Sequence, residues 1–201
     1  MMAETRFIAP SWGDIEEMIS RIADEIRRRD FRPDIILGVS RGGIIPALLL
    51  SDMLGVPVDI VGVRFYKGVG DVEEKPHIVQ DIAERLEGKR VLIVDDVSDT
   101  GHTLRLVRRY VEERGAREVM VCTLHYKPWA VYKPDYHVEE TEAWIIYPWE
   151  VRETIRYLSR KLREEGFRGE GLREELRRRG IPEEIVELIG EETPKNEMEE
   201  V

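Results

Sequence analysis

The sequence has a single cysteine, no long apolar run and no excess of basic residues, and each of these absences excludes a class of protein. Cys122 alone excludes an internal disulfide. No apolar run approaches the ~18 residues of a membrane span, and the first residues, Met1-Met2-Ala3-Glu4-Thr5-Arg6, do not form a signal peptide. With 31 basic and 41 acidic residues, the net charge of −10 argues against nucleic acid as the main partner. We therefore expect a soluble, cytoplasmic protein that binds no membrane.

Hydrophobic and aromatic residues are sufficient for one core and for a ligand-binding wall. The chain has 201 residues, of which 42% are hydrophobic, so that one well-buried core is expected. Aromatic residues make up only 7%, yet three of the four tryptophans lie between Trp129 and Trp149. Aromatic side chains this concentrated outside a regular period are typical of a binding wall as well as of core packing.

A buried strand that ends on acidic residues lies in the middle of the sequence. Lys89 to Val94 contains four consecutive apolar residues, as in strands covered on both faces of a parallel sheet. Asp95 and Asp96 follow directly, and Asp99 comes three positions later. Because ligands of open α/β sheets bind beyond the carboxyl ends of the strands, we expect these carboxylates at a ligand site.

A small, hydroxyl-rich turn follows the acids and leads into a helix. The turn is Thr100-Gly101-His102-Thr103, and apolar residues then recur at helical spacing until about Arg114, with Gly115 as a fitting end residue. Backbone N–H groups at the start of a helix have no partner within it and suit a phosphate. The turn therefore predicts an anion site.

A sugar phosphate would satisfy both the acids and the turn. Its hydroxyls would donate to Asp95 and Asp96, and its phosphate would bind the turn; the fixed negative charge would also stabilise a positively charged, ribose-like transition state. Three alternatives remain for this stretch alone: a phospho-acceptor domain, a phosphatase with an aspartate nucleophile, and a solvated loop without chemistry. The phosphatase requires Asp-x-Asp, whereas Asp96 is followed by Val97-Ser98-Asp99.

A second candidate site is the turn Ser40-Arg41-Gly42-Gly43. It follows a predicted strand from Asp34 to Val39 and precedes an apolar helix from Ile44 to Leu54. Its glycines permit close approach of a ligand to the backbone, and Arg41 offers bidentate contacts to a phosphate. An ordinary strand-to-helix turn would explain the same residues.

Two further strands and a long loop are predicted in the same part of the sequence. Val58 to Phe65 and Glu118 to Leu124 are predicted strands, and the second leads to Lys127 at the same sheet edge. Between them, residues 66–76 lack any apolar period, which is typical of a functional lid or of a solvated hairpin tip. Strands that alternate with helices indicate an α/β fold.

With both turns present, the sequence resembles the type I phosphoribosyltransferases. Their signature for phosphoribosyl pyrophosphate (PRPP) is an apolar strand, two acids, three further positions and Thr-Gly-x-Thr. The resemblance implies an α/β fold with a single doubly wound parallel sheet and a small base-binding hood. It implies that Asp95 and Asp96 hold the ribose hydroxyls, directly or through water bound to Mg²⁺. The implied 5′-phosphate site consists of Asp99, Thr100, Gly101, His102 and Thr103.

The same resemblance implies which residues bind the leaving pyrophosphate and which loop closes over it. Ser40, Arg41 and Gly42 would bind the pyrophosphate, and Lys67 would reach it from a loop that closes during catalysis. The family often has a strained, sometimes cis, peptide in the first of these turns, which the sequence alone does not reveal. Asp99 is the expected catalytic residue, for proton transfer at N7 of a purine.

A narrower resemblance, to the xanthine-guanine and hypoxanthine phosphoribosyltransferases, rests on Lys127-Pro128, Trp144-Ile145 and Pro148-Trp149-Glu150 together with the Ser40 turn. It implies that Lys127 contacts the exocyclic oxygen of the base, that Trp144 stacks on the purine, and that backbone groups around Ile145 read the 2-position. A lysine ammonium only donates, so it pairs with O6 of a 6-oxopurine and opposes the amino group of adenine. A surface lysine and a core tryptophan are the alternatives.

We therefore expect a Mg²⁺-dependent purine salvage enzyme. It would convert PRPP and hypoxanthine, guanine or xanthine into the nucleoside 5′-monophosphate and pyrophosphate, and the resemblance implies a homo-oligomer, a dimer or larger. Two alternatives remain: a PRPP-binding regulator without catalysis, and transfer to another base such as adenine or a pyrimidine.

Three segments are expected along the chain. Residues 1–150 form the catalytic domain with its hood, residues 151–190 a helical C-terminal extension, and residues 191–201 an acidic tail. In the extension, Ile155, Leu158 and Leu162 share one helical stripe, and Pro182 suits the first position of a final short helix.

Overall fold

The computed structural model describes residues 6–66 and 75–190. Their elements are β1 (Phe7–Ile8), α1 (Trp12–Arg28), β2 (Ile35–Ser40), α2 (Ile44–Leu54), β3 (Val58–Tyr66), β4 (Lys75–Gln80), β5 (Arg90–Ser98), α3 (His102–Glu113), β6 (Glu118–Tyr126), β7 (Tyr136–Glu140), β8 (Trp144–Ile145), α4 (Val151–Glu164), α5 (Gly169–Arg178), α6 (Glu183–Val186) and a 3-10 turn (Glu187–Gly190). None of the helices in these ranges combines the length and apolar character that a membrane crossing requires.

The chain divides into two compact units. The first, called here the sheet unit, is the continuous segment Ile15–Thr141; the second, the terminal unit, combines the residues up to Asp14 with those from Glu142 onward. The predicted PRPP-binding residues therefore belong to the sheet unit, whereas Trp144 and Ile145 belong to the terminal unit.

The sheet unit contains a six-stranded sheet of order β4-β3-β2-β5-β6-β7. Every neighbouring pair is parallel except β3 and β4, which are antiparallel. On one face, Leu37, Ile93 and Val121 pack against Leu104 and Val107 of α3. On the other face, Gly38 lies so close to α2 that a Cβ atom there would be 2.9 Å from Cβ of Ala47. Helices thus cover both faces, and the predicted doubly wound parallel sheet is confirmed.

The sequence prediction missed the edge strands. β4 (Lys75–Gln80) begins in the last two residues of the predicted 66–76 loop and continues beyond it, and β7 and β8 were not predicted. The strand signal of β4 is weak because its side chains are half-buried or exposed and Pro76 lies within it, a residue that only an edge strand tolerates well. Short, half-exposed strands lack the apolar run that marks the central strands.

The central strand is longer than predicted. β5 continues to Ser98 because β6 pairs with it as far as Ser98 opposite Tyr126. Asp95 and Asp96 therefore lie within the strand, and not after it as the sequence suggested. Their backbone positions are consequently fixed by the sheet.

The terminal unit is built on a two-stranded sheet and three helices. β1 pairs in parallel with β8, with Phe7 opposite Trp144 and Ile8 opposite Ile145. The core of the unit consists of Phe7, Ile146, Leu158, Leu162, Leu172, Leu176, Ile181 and Val186. Because Ile146 shares this core with Leu158, the structural division falls after Thr141 and differs from the boundary after residue 150 that the sequence suggested.

Ser11 caps the start of α1. The N–H of Asp14 donates to Oγ of Ser11 at 3.2 Å, and the N–H of Ser11 donates in return to Oδ2 of Asp14 at 2.7 Å. The hydroxyl of Ser11, and then its N–H, donate to the Asp14 carboxylate and lower its pKa below the ordinary value. Pro182, by contrast, is the cap residue of α6 and lies one position before the helical site predicted for it.

Candidate active site

The turn between β2 and α2 lies directly against the acidic pair. The Ser40–Arg41 peptide is cis. A Cβ atom on Gly42 would lie 2.2 Å from Oδ2 of Asp96, and one on Gly43 would lie 2.2 Å from the carbonyl oxygen of Val94. A larger residue at Gly42 would displace the Asp96 carboxylate, and one at Gly43 would meet the backbone of β5. The structure therefore brings the predicted pyrophosphate turn and the predicted ribose acids together.

The two acids are buried and strongly coupled. Asp95 and Asp96 are each 8% exposed. The N–H of Asp96 donates to Oδ1 of Asp95 at 3.0 Å, and the N–H of Val97 donates to Oδ1 of Asp96 at 2.7 Å. Burial, and then the negative charge of Asp96, raise the pKa of Asp95 well above its ordinary value. Hydroxyl donors or a cation at the pair would relieve this repulsion.

The predicted phosphate turn forms the start of α3. Gly101 has a φ of 81°, in the left-handed region, and a Cβ atom there would lie 2.5 Å from the backbone nitrogen of Tyr132. The helix begins at His102, so that His102 and Thr103 belong to its first turn. The cap residues themselves, Gly43 and Gly101, have no side chain that could bond the first turns of α2 and α3, and Oγ1 of Thr100 accepts a long bond of 3.5 Å from the N–H of His102. Both helices thus present first-turn N–H groups to an anion.

The segment after β6 closes over this turn. The N–H of Lys127 donates to the carbonyl oxygen of Ser98 at 3.0 Å, and the N–H of Val131 donates to that of Thr100 at 2.9 Å. Oγ of Ser98 donates to the carbonyl oxygen of Tyr132 at 2.8 Å. These three bonds hold Lys127 at the end of β5, close to the predicted phosphate turn.

Lys127 is buried beside an aromatic ring and a neutral histidine. Its residue is 5% exposed, and its Nζ lies 5.6 Å from the ring centroid of Trp129. Burial, and then the positive charge of Lys127, lower the pKa of His125 to about 4. His125 is therefore uncharged at neutral pH, whereas Lys127 carries a positive charge beside it.

Trp144 and Ile145 lie on β8 in the terminal unit. The N–H groups of Trp144 and Ile146 donate to the carbonyl oxygens of Arg6 and Ile8, each at 2.8 Å. Because peptide groups alternate in direction along a strand, the N–H and carbonyl of Ile145 point away from β1. The Trp144 side chain is 49% exposed, whereas Ile145 is buried. A backbone donor and acceptor and an accessible indole thus occur on the same strand.

The remaining predicted site residues are exposed or lie outside the described residues. Arg41 and Thr100 are exposed residues of the two turns, and Asp99 is exposed directly before the second turn. Lys67 lies outside the described residues. Within residues 6–66 and 75–190, no three His, Cys, Asp or Glu side chains converge as ligands of a metal ion.

Sequence reasoning missed two residues that shape the site. Tyr132 packs against Gly101 with its backbone and Cβ atom, and Ser98 joins β5 to the segment that carries Lys127. A small hydroxyl residue between Asp96 and Thr100 was a signal for Ser98. Nothing in the local sequence signals the role of Tyr132, because its contacts join positions far apart in the chain.

Comparison with known families agrees with this arrangement. The phosphoribosyl transferase domain family matches residues 11–155. The chain belongs to the phosphoribosyltransferase family. The match covers the whole sheet unit and β8.

Individual relatives carry purine-specific names. Xanthine phosphoribosyltransferase 1 of Saccharomyces cerevisiae is 26% identical, over 76% of this chain and 93% of the yeast protein. A xanthine-guanine phosphoribosyltransferase of Idiomarina loihiensis is 30% identical, over 67% of this chain and 84% of its own. A purine phosphoribosyltransferase structure from Pyrococcus horikoshii is 44% identical with a TM-score of 0.65, covering 71% of this chain and 93% of that one. A Neisseria gonorrhoeae protein solved with ppGpp bound is 30% identical with a TM-score of 0.67, covering 73% and 90%.

Replacing Gly42 with alanine tests the contact between the turn and the acids. The new methyl group would overlap the Asp96 carboxylate, so we expect the affinity for PRPP, measured by calorimetry, to fall by about 100-fold. Gly171→Ala is the matched control, since a Cβ atom there meets no atom within 4 Å. Equal affinities of the Gly42→Ala variant and the parent protein would contradict the contact.

His125 predicts an acid-dependent loss of stability. Its pKa is about 4 in the folded protein and about 6.5 in an unfolded chain, so the unfolded state binds the extra proton between these values. The free energy of unfolding should therefore fall as the pH drops from about 6.5 to 4, by up to about 1.4 kcal/mol per pH unit. Urea titrations of the parent and of His125→Gln should diverge over this window; parallel curves would refute the assignment.

Proposed function

We propose that this phosphoribosyltransferase transfers the phosphoribosyl group of PRPP to hypoxanthine, guanine or xanthine and releases pyrophosphate. The observation that carries the proposal is the contact of Gly42 with Asp96, because it joins a pyrophosphate turn to a ribose-binding acid pair. The purine-specific names of the relatives support the choice of acceptor.

In this proposal the two uncapped helix starts bind the two phosphate groups of PRPP. N–H groups of Gly101, His102 and Thr103, with the Thr100 and Thr103 hydroxyls and the neighbouring Asp99 backbone, would hold the 5′-phosphate. Backbone groups of Ser40 and Gly42 and the Arg41 guanidinium would hold the diphosphate and stabilise its charge as it leaves. Lys67 would add a second cation to the diphosphate.

Asp95 and Asp96 would bind the ribose and stabilise the transition state. As the bond to the diphosphate breaks, positive charge develops on the sugar, and two carboxylates held by the sheet need no reorganisation to stabilise it. The hydroxyls of the ribose would donate to these carboxylates and replace the water that burial has removed. The burial that makes the pair costly to ionise in the free protein thus favours a ligand with donors.

Mg²⁺ fits this donor set, although it needs ligands from the substrate. Carboxylate oxygens suit Mg²⁺, but Asp95 and Asp96 fill only part of an octahedral shell, so that water and PRPP oxygens would supply the rest. When bound, the ion would neutralise charge on the diphosphate and assist its departure. Burial and the charge of Asp96 raise the pKa of Asp95, and a bound cation would oppose this rise.

The acceptor base would be read by residues of three segments. Lys127 would donate to O6, Trp144 would stack on the ring, and the Ile145 peptide would read the 2-position. Adenine would place an amino group opposite the Lys127 ammonium and leave two buried donors facing one another. Asp99 would take up the proton from N7 as the new bond forms at N9.

Release of pyrophosphate from PRPP with different bases tests the reaction. We expect turnover with hypoxanthine, guanine or xanthine, none with adenine, and none after Mg²⁺ is removed with EDTA. Asp99→Asn should lower kcat by about 100- to 10,000-fold, since general base catalysis typically contributes this much.

The same assay separates the alternatives. Tight PRPP binding without turnover of any base would favour a PRPP-binding regulator. Turnover with adenine or a pyrimidine would show that another base is the acceptor and that Lys127 does not read O6.

We further propose that the protein is a homo-oligomer that associates through α2. This helix (Ile44–Leu54) is apolar apart from Ser51 and the exposed Asp52, and Leu48, one turn before Asp52, is 56% exposed. An apolar helix is normally buried on all sides, so the exposed side of α2 requires a cover. A second copy of this chain is the cover implied by the resemblance to oligomeric phosphoribosyltransferases.

Light scattering of Leu48→Glu tests the oligomer. We expect the parent protein to be a dimer or larger and the variant to have a lower mass at the same concentration, because a buried carboxylate opposes association. Val131→Glu, at a residue of similar exposure, 54%, on the β6–β7 connection, is the matched control. A monomeric parent protein would refute the proposal.

A further inference from the structure

An exposed aromatic pair joins the C-terminal extension to the strand that carries the base-stacking residue. The rings of Trp144 on β8 and Tyr157 on α4 are nearly parallel, with 9° between their planes and 6.3 Å between their centroids. The exposed fractions are 49% for Trp144 and 37% for Tyr157. Hydrophobic burial alone does not account for two aromatic rings aligned in a half-exposed position.

Trp144 and Tyr157 both lie on elements whose backbone is held in place within the terminal unit. β8 is fixed by its pairing with β1, and α4 is fixed by Leu158 and Leu162, which lie in the core of the same unit. Tyr157 directly precedes Leu158, so its backbone is held by that core. The tyrosine ring can therefore restrain the indole, whereas a residue on a loose segment could not.

We propose that Tyr157 is a positioning residue for the purine site: it holds the plane of the Trp144 indole in the orientation that stacks on the base. The proposal rests on the function proposed above. It gives the C-terminal extension a role in base binding, although the extension contributes none of the residues that bind PRPP.

The physical basis is preorganisation. An exposed tryptophan samples several side-chain rotamers, and the base must select one of them at a cost in entropy. A parallel neighbour already favours one plane, so part of this cost is met before the base arrives. An aromatic pair of this kind changes affinity by about 3- to 10-fold. The effect should concern the base and leave PRPP, whose proposed contacts lie in the sheet unit, unchanged.

Steady-state kinetics of four single variants and one double variant of the full-length protein test the proposal. In Tyr157→Ala we expect KM for the oxopurine to rise by about 3- to 10-fold, with KM for PRPP unchanged. Tyr157→Phe keeps the ring and should restore the KM of the parent protein. Arg160→Ala, one turn further along the exposed side of α4, is the matched control. In a Trp144→Leu background, Tyr157→Ala should have no further effect on the KM for the base.

A ¹⁹F NMR measurement, which does not depend on catalysis, reports on the Trp144 side chain directly. In protein labelled with 5-fluorotryptophan, the ¹⁹F resonance of Trp144 is assigned from its absence in Trp144→Phe. Tyr157→Ala should shift or broaden that resonance, and Tyr157→Phe should leave it nearly in place.

The outcomes separate this inference from the proposed function. A parent protein that turns over oxopurines, together with a Tyr157→Ala variant of unchanged KM or an unmoved Trp144 resonance, would overturn the role of Tyr157 alone. A rise in both KM values would show a general structural defect and would equally overturn it. A parent protein that turns over no base would overturn the proposed function, and the role of Tyr157 with it.

Discussion

The approach of the Gly42 backbone to the Asp96 carboxylate is the constraint on which the rest of the site depends. It leaves no room for a side chain at Gly42, and it fixes how far the β2–α2 turn lies from the end of β5. Because Gly43 is equally close to Val94, the turn is held against the strand at two successive positions. The position of the turn against β5 is thus set largely by the backbone contact between Gly43 and Val94, with the Asp96 carboxylate packed against Gly42 beside it.

The electrostatics of the sheet edge follow from this arrangement. Two helix starts without side-chain caps and two buried carboxylates lie at the carboxyl ends of neighbouring parallel strands, so that partial positive and full negative charges are adjacent. A simple anion would meet the carboxylates, and a simple cation would meet the helix starts. A ligand that carries both phosphates and hydroxyl donors satisfies the whole edge, which is the chemistry of PRPP.

The sequence predicted what local patterns encode. The bounds of α2, the cap formed by Ser11, and the acids and glycines of both turns were predictable, because apolar period, capping residues and turn glycines are short-range signals. β4 was missed because an edge strand needs no apolar run, and the wall formed by Tyr132 was missed because it depends on a contact with Gly101 across the fold. The placement of Lys127 at the sheet edge followed from the strand before it, its role was implied by resemblance, and the structure adds the bond from its N–H to Ser98.

The pairing of β1 with β8 determines when each part of the protein can form during synthesis. The sheet unit is continuous in sequence, so its strands are available once residue 141 has left the ribosome. Phe7 and Trp144 pair although they are roughly 140 residues apart, and the core of their unit also needs Leu172, Leu176 and Val186, which are synthesised well after residue 141. A nascent chain can therefore complete its sheet unit before it completes its terminal unit.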